Sequence, residues 1–76
     1  MSAETKFTIF CLECYKQYRH LTGKTVSKLF KDYNVYGYLN EFYDVLHTTG
    51  SSYINNDIDI FLKARGCALL YDYFRT

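Results

Sequence analysis

The sequence carries almost no excess charge and no long apolar run. Nine Lys and Arg stand against eight Asp and Glu, a net charge of +1, so non-specific attraction to nucleic acid or anionic lipid is not expected to dominate. No apolar run approaches the roughly 18 residues of a membrane span, and the N-terminus lacks the pattern of an export signal. These absences predict a cytoplasmic protein that makes no membrane contact.

Cysteine is scarce, and proline and tryptophan are absent. Three cysteines, an odd number, in a chain without an export signal predict reduced thiols and argue against a disulfide framework. Stability must then come from packing. Nine tyrosines and six phenylalanines make up 20% of the chain, and each buried ring removes roughly 150–250 Å² from water. We therefore expect an aromatic core.

The length and the balance of residue types predict one small globular domain. A chain of 76 residues buries only about 60% of the surface that it exposes when unfolded, so a large cleft between two lobes is not expected. Apolar residues make up 49% and charged residues 22% of the chain, which is typical of a folded protein rather than of disorder.

Apolar residues at helical spacing predict four helices. The predicted ranges are about 3–21, 22–33, 35–47 and 56–65. Asn34 is a plausible left-handed stop, Gly37 is expected to disturb the first turn of the third helix, and residues 48–52 form a turn cluster. The segment 67–76 is either a fifth short helix or an extended tail. The sequence thus predicts a single all-α bundle of four or five short helices, with its core at about 5–66.

The same spacing predicts which side chains face the core. Apolar residues recur at steps of three and four residues on one face of each predicted helix. They are Phe7, Phe10, Cys11, Cys14, Tyr15, Tyr18 and Leu21 on the first helix; Val26, Leu29, Phe30 and Tyr33 on the second; Val35, Tyr38, Leu39, Phe42, Tyr43 and Leu46 on the third; and Ile58, Phe61 and Leu62 on the fourth.

Basic residues cluster around the predicted corner between the first two helices, and no acid occurs between Cys14 and Lys31. Such a corner is either a set of solvated helix faces, a binding site for an acidic protein, or a binding site for a phosphate backbone. In a helix-turn-helix arrangement residues 35–47 would be the recognition helix, but Glu41 and Asp44 would repel phosphates. The residues of this predicted basic corner are Lys16, Arg19, His20, Lys24, Lys28 and Lys31.

Cys11 and Cys14 form a C-x2-C pair on one helix face. A zinc site needs four ligands, and the only further Cys and His residues are Cys67, His20 and His47. A redox dithiol is the other alternative, but its reactive cysteine normally lies at a helix N-terminus. We therefore interpret the pair as small buried side chains, and predict no metal and no cofactor.

His47 precedes a turn and has two interpretations. It is either a catalytic base, with Tyr53 and Asp57 as partners, or a cap for the carbonyls that end the third helix. The second interpretation, in which Gly50 supplies a left-handed turn and Asp57 lies in the first turn of the next helix, is preferred. No catalytic residue is predicted, because so short a chain rarely encloses a nucleophile, a base and an oxyanion site.

Several tyrosines fall near turns or in the C-terminal segment, where exposed aromatic rings favour an interface. Together with three apolar neighbours they predict binding to a partner protein or self-association through the C-terminal segment. These residues are Tyr36, Tyr53, Tyr71 and Tyr73, with Leu69, Leu70 and Phe74.

Short motifs follow one another in a fixed order from Phe10 to Arg65. After the cysteine-containing first helix they are Leu21-Thr22-Gly23-Lys24, Val26, Leu29-Phe30, Tyr33-Asn34-Val35, Tyr38-Leu39, Tyr43-Asp44-Val45-Leu46-His47-Thr48-Thr49-Gly50, Tyr53-Ile54 and Asp57-Ile58. In this order they resemble a small bacterial family catalogued as a domain of unknown function. The resemblance implies a gene neighbour that is an ADP-ribosyltransferase-like protein, and hence a toxin–antitoxin or phage-defence pairing. It supplies no established active site, and residues from Cys67 onward depart from the pattern.

Composition, spacing and resemblance together predict a small non-catalytic module that binds another protein. An antitoxin, or a modulator of a toxin or phage-defence enzyme, is the specific expectation. A nucleic-acid-binding regulator is the alternative, and a small zinc or redox protein is a further one.

Overall fold

The computed structural model describes residues 2–67, and within that range the chain forms five α-helices and no β-strand. The helices are α1 (Ala3–Arg19), α2 (Gly23–Asp32), α3 (Val35–Glu41), α4 (Tyr43–Leu46) and α5 (Ser51–Ala64). The predicted all-α bundle is confirmed. The predicted interface residues Leu69, Leu70, Tyr71, Tyr73 and Phe74 lie outside the described residues, as does the question of a fifth helix or a tail at 68–76.

Polar side chains cap the N-termini of the first two helices, and a residue with left-handed backbone conformation lies in the turn after each helix. The amide of Thr5 donates to the Ser2 hydroxyl, and the amide of Thr25 donates to the Thr22 hydroxyl, each at 3.1 Å, which satisfies donors that the helix itself leaves unpaired. His20 (φ 56°) stops α1, one residue before the predicted stop, and Asn34 (φ 57°) is the left-handed residue that was predicted.

The predicted third helix is wrong, because it breaks into α3 and α4 at Phe42 (φ −102°, ψ 21°). The rings on either side of the break pack on different helices. Tyr38 packs on Phe61 of α5 at 4.5 Å between ring centroids, whereas Tyr43 packs edge-on against Phe7 of α1 at 5.4 Å. Gly37 lies inside α3 and does not disturb it. A Cβ atom at Gly37 would lie 2.7 Å from the amide atoms of the Asn34 side chain, so the glycine makes room for that side chain.

The last helix begins at Ser51, earlier than the predicted start at Asn56. Gly50 is extended (φ −75°) and not left-handed, and Asp57 lies in the middle of α5 and not in its first turn; both predictions are wrong. The hydroxyls of Thr48 and Thr49 donate to the last carbonyls of α4 at 2.9 and 2.7 Å. These two hydroxyls satisfy carbonyls in the turn, and Ser51 and Ser52 form the first residues of α5.

Gly66 reverses the chain at the end of α5. Its φ of 73° is left-handed, and the amides of Gly66 and Cys67 donate to the carbonyls of Lys63 and Leu62 at 3.0 and 3.1 Å. This is the glycine-based helix stop in which a hydrophobic residue after the glycine packs on the last turn. Cys67 is fully buried as a result.

Most of the predicted inward residues form the core. Phe10, Tyr18 and Phe42 do not, with 50%, 46% and 43% of their surfaces exposed. Phe10 lies at the margin of the α1 stripe, Tyr18 lies in the last turn of α1, and Phe42 lies at the break between α3 and α4. Among the described residues the buried apolar side chains are Cys11, Tyr15, Val26, Leu29, Phe30, Val35, Leu39, Leu46, Ile54, Ile58, Leu62 and Cys67. Within residues 2–67, no helix combines the length and the apolar character that crossing a bilayer requires.

Candidate functional site

Three lysines lie on one exposed face of α2. Lys24, Lys28 and Lys31 follow one another at i, i+4 and i+7, the spacing that aligns side chains along a helix, and Ser27 lies between them. Lys28 forms an exposed ion pair with Asp32 at 2.8 Å, and this hydrogen bond raises the pKa of Lys28. We call these three lysines the lysine face; they are half of the predicted basic corner.

The other members of the predicted basic corner do not join this face in the same way. Lys16 pairs with Glu13 of its own helix at 3.0 Å, and His20 is the exposed residue that stops α1. Arg19 is half-buried, with only 11% of its side chain exposed. Of the six residues of the predicted corner, Arg19 is drawn into an ion pair with Asp59, and the lysine face is the exposed row among the other five.

Arg19 is half-buried because it pairs with Asp59 of α5. The Arg19 guanidinium donates from Nε at 3.1 Å and from Nη2 at 2.5 Å, and the hydroxyls of Tyr15 and Tyr18 donate at 2.6 and 3.0 Å to the same carboxylate. Asp59 is only 4% exposed, and these four donors satisfy the oxygen atoms of its carboxylate inside the protein. The Asp59 cluster ties α1 to α5.

The Asp59 cluster was not predicted, although the sequence carries a signal for it. Asp59 lies between Ile58 and Leu62 on the inward face of a helix, where a charged residue requires a buried partner. Burial, and then the hydrogen bond to Asp59, raises the pKa of Tyr15. Burial lowers and the Asp59 contact raises the pKa of Arg19, with a net rise. The four side chains bind one another, which suits a structural role.

Asn55 lies one turn before Asp59 and is buried as well, with 7% exposed. It lies within α5, before the predicted start of that helix at about residue 56. Its Oδ1 atom accepts no hydrogen bond from residues 2–67.

His47 caps a helix end, as the preferred interpretation predicted. Its Nδ1 atom lies 2.7 Å from the Tyr43 carbonyl oxygen, and its ring stacks on the Tyr43 ring at 4.4 Å. Asp57, the suggested partner of a catalytic histidine, accepts instead from the Tyr38 hydroxyl. Burial, and then this hydrogen bond, raises the pKa of Tyr38 to about 12. Tyr53 is 59% exposed.

The C-x2-C pair is poorly suited to redox chemistry. Burial, followed by the nearby Cys14, raises the pKa of Cys11 to about 12, and burial also raises the pKa of the half-buried Cys14. A raised pKa removes the thiolate that would attack a disulfide. Within residues 2–67, no three Cys, His, Asp or Glu side chains come together as metal ligands.

We expect the native protein to present one readily modified thiol. Cys14 is half-buried whereas Cys11 and Cys67 are fully buried, so a thiol reagent at about pH 8 should modify Cys14 first and the other two only after unfolding. Titration with and without denaturant measures this, and Cys14→Ser should abolish the native reaction. Equal reaction of all three thiols in the folded protein would contradict the packing described.

An open groove of about 480 Å³ runs between α1 and α3. It is lined by Thr5, Thr8, Ile9, Tyr36, Gly37 and Asn40. Tyr36, a predicted interface residue, packs its half-buried ring edge-on against Phe30 at 5.5 Å, and its hydroxyl lies 3.2 Å from the hydroxyl of Ser27. The groove therefore adjoins the lysine face.

Acidic residues surround a second, smaller groove. Glu4, Glu41 and Asp44 line it with Asn40 and Tyr43, and its volume is about 300 Å³. We call these three residues the acidic cluster. Asn40 lines both grooves, so the acidic cluster adjoins the groove between α1 and α3 at the opposite end from Tyr36.

Comparison with known proteins places the chain in a family. A family model described as "Protein of unknown function (DUF3791)" matches residues 6–65, which is more than half of the 76 residues, and the chain therefore belongs to this family. The matched range includes the lysine face, the Asp59 cluster and most of α1. No curated protein and no solved structure gives a match.

Proposed function

We propose that this member of the DUF3791 family is a non-catalytic module that binds an acidic surface of another protein through the lysine face. The observation that carries the proposal is the arrangement of Lys24, Lys28 and Lys31, which are exposed on one side of α2 at helical spacing. Positive charges in a row attract a partner of opposite charge and set its orientation.

Three described residues of types that often serve in catalysis are engaged in holding the fold. Asp59 accepts four hydrogen bonds, His47 binds a carbonyl, and Asp57 accepts from Tyr38. A general base needs access to the proton that it removes. This engagement supports a binding role over a catalytic one.

We further propose that the partner is a toxin or a phage-defence enzyme, which the module neutralises or modulates. The support is the resemblance of the chain to a bacterial family whose members are often encoded beside an ADP-ribosyltransferase-like protein. The cytoplasm is the proposed location.

Binding to nucleic acid is the weaker alternative. The lysine face would attract phosphates, but a helix-turn-helix reader needs a continuous recognition helix. The segment that would supply it breaks at Phe42, and its acidic residues Glu41 and Asp44 are exposed. These features favour an acidic protein over DNA.

Replacing two lysines should abolish capture of the partner. We expect the tagged full chain to capture one specific protein from its native host, and Lys24→Glu with Lys31→Glu to reduce the affinity of the purified pair at least about tenfold, because attraction becomes repulsion. The partner is identified by mass spectrometry, and its affinity is measured by calorimetry with both purified proteins.

A matched control adds charge elsewhere. Ser52→Glu with Asn56→Glu places two acids on exposed positions of α5 and should leave the affinity near that of the unmodified chain. Equal weakening by both double variants, or selective binding of duplex DNA instead of a protein, would contradict the proposal.

A further inference from the structure

Three surface features of the described bundle lie side by side: the lysine face on α2, the groove between α1 and α3, and the acidic cluster. Their order follows from residues that they share. Tyr36 lines the groove and lies 3.2 Å from Ser27 of the lysine face. Asn40, one turn further along α3 and about 6 Å away, lines both the groove and the acidic cluster. The groove therefore separates a positive end from a negative end.

We propose that this side of the molecule is an interface between two copies of the chain, related by a two-fold axis through the groove. In such a contact the same surface is used by both copies, and each patch meets the patch on the opposite side of the axis. The lysine face of one copy then meets the acidic cluster of the other, and this pairing occurs twice.

The charges of the two ends match in number and accessibility. Lys24, Lys28 and Lys31 are exposed, and so are Glu41 and Asp44, while Glu4 is half-buried. The pair between Lys28 and Asp32 is exposed to solvent and screened by salt, so it can rearrange when a carboxylate of the second copy approaches.

The middle of the surface supplies apolar contact. Ile9 lies on α1 with 47% of its surface exposed, and Ile9 and Tyr36 both line the groove. A standard interface buries about 800 Å² on each partner, which is about one sixth of the 4928 Å² surface.

A second copy fits this surface better than a uniformly acidic partner that covers all of it. Such a partner would be attracted at the lysine face and repelled at Glu41 and Asp44. Only an occupant that carries both signs in the reverse order satisfies both ends, and a copy turned by the two-fold axis does so. The partner of the proposed function needs the same lysines, so pairing of copies competes with it.

Sedimentation of the purified full chain tests the pairing by exchange of charges. Lys24→Glu with Lys31→Glu reverses the positive end, and Glu41→Lys with Asp44→Lys reverses the negative end. We expect the unmodified chain to dimerise at an ionic strength of about 25 mM and to weaken at least about tenfold at about 500 mM. Each double variant alone should be monomeric, whereas an equimolar mixture should form a one-to-one dimer, because opposite ends again meet.

The control Ser52→Glu with Asn56→Glu, on a helix that lines neither groove, should dimerise like the unmodified chain. Circular dichroism verifies that every variant folds, and all the substituted residues are exposed. An unmodified chain that stays monomeric up to about 1 mM at low salt, or a mixture that stays monomeric, overturns the pairing.

These outcomes are separate from those of the proposed function. A monomeric chain whose lysines still bind a protein partner refutes the pairing and leaves the function in place. A charge-dependent dimer that captures no protein does the reverse.

Discussion

Asp59→Asn is expected to lower the free energy of unfolding by about 3–5 kcal/mol, because it leaves the guanidinium of Arg19 buried without a counter-charge. Only 6% of the Asp59 side chain and 11% of the Arg19 side chain are exposed, so water cannot replace the lost carboxylate. The hydroxyls of Tyr15 and Tyr18 lose a charged acceptor in the same step. Urea unfolding followed by circular dichroism measures the change.

Two further variants serve as a control and as a rescue for Asp59→Asn. Asp32→Asn removes a carboxylate whose ion pair is exposed and should leave the urea midpoint near that of the unmodified protein. Asp59→Leu combined with Arg19→Met removes both charges and should recover part of the loss, since the penalty comes from the orphaned charge. An unchanged midpoint for Asp59→Asn would show that the buried cluster does not form.

Phe30→Ala should have a comparable effect, lowering the free energy of unfolding by about 3–5 kcal/mol through loss of buried surface and formation of a cavity. The ring is fully buried, and it lies 5.8 Å from the ring of Tyr15 and 5.5 Å from that of Tyr36. The substitution therefore weakens the contact between α1, α2 and α3 at once.

Phe10→Ala is the matched control for Phe30→Ala, because both change phenylalanine to alanine on an amphipathic helix. Phe10 is half exposed, so its loss should cost less than about 1 kcal/mol. Thermal unfolding of both variants distinguishes the two positions. Equal destabilisation would support the inward position that helical spacing alone predicted for Phe10.

Helical spacing was sufficient to predict the core but not its edges. Val26 and Phe30 share the apolar stripe of α2 and are fully buried, as the spacing predicted. Phe10 lies at the margin of the α1 stripe and Tyr18 in the last turn of α1, where burial depends on which neighbour packs beside the helix. That neighbour is a tertiary feature that local spacing does not contain.

Local chemistry predicted the helix ends that depend on neighbouring residues, and it failed at the ends that depend on distant contacts. Thr22 and Asn34 act within one turn, so their roles depend on the adjacent backbone alone. On either side of the break at Phe42, Tyr43 packs on a ring of α1 and Tyr38 packs on a ring of α5. Gly50 was assigned a left-handed turn that the threonine hydroxyls before it make unnecessary.

The candidate site was predicted in part, because a charged residue lies on the surface only when it has no buried partner. Lys24, Lys28 and Lys31 were identified from their spacing and remain exposed. Arg19 was grouped with them, because its partner Asp59 lies far along the chain and local sequence does not reveal the pair. A charge on the inward face of a helix was the available signal, and Asp59 carries it.

The bond between Arg19 and Asp59 joins positions that are 40 residues apart, and it sets the order of assembly during synthesis. A nascent chain on the ribosome has α1 and α2 available early, but it cannot close this bond before α5 has been translated. Until then Tyr15 lacks its acceptor, so the contact between α1 and α5 forms only after the sequences of α1 and α2 are complete.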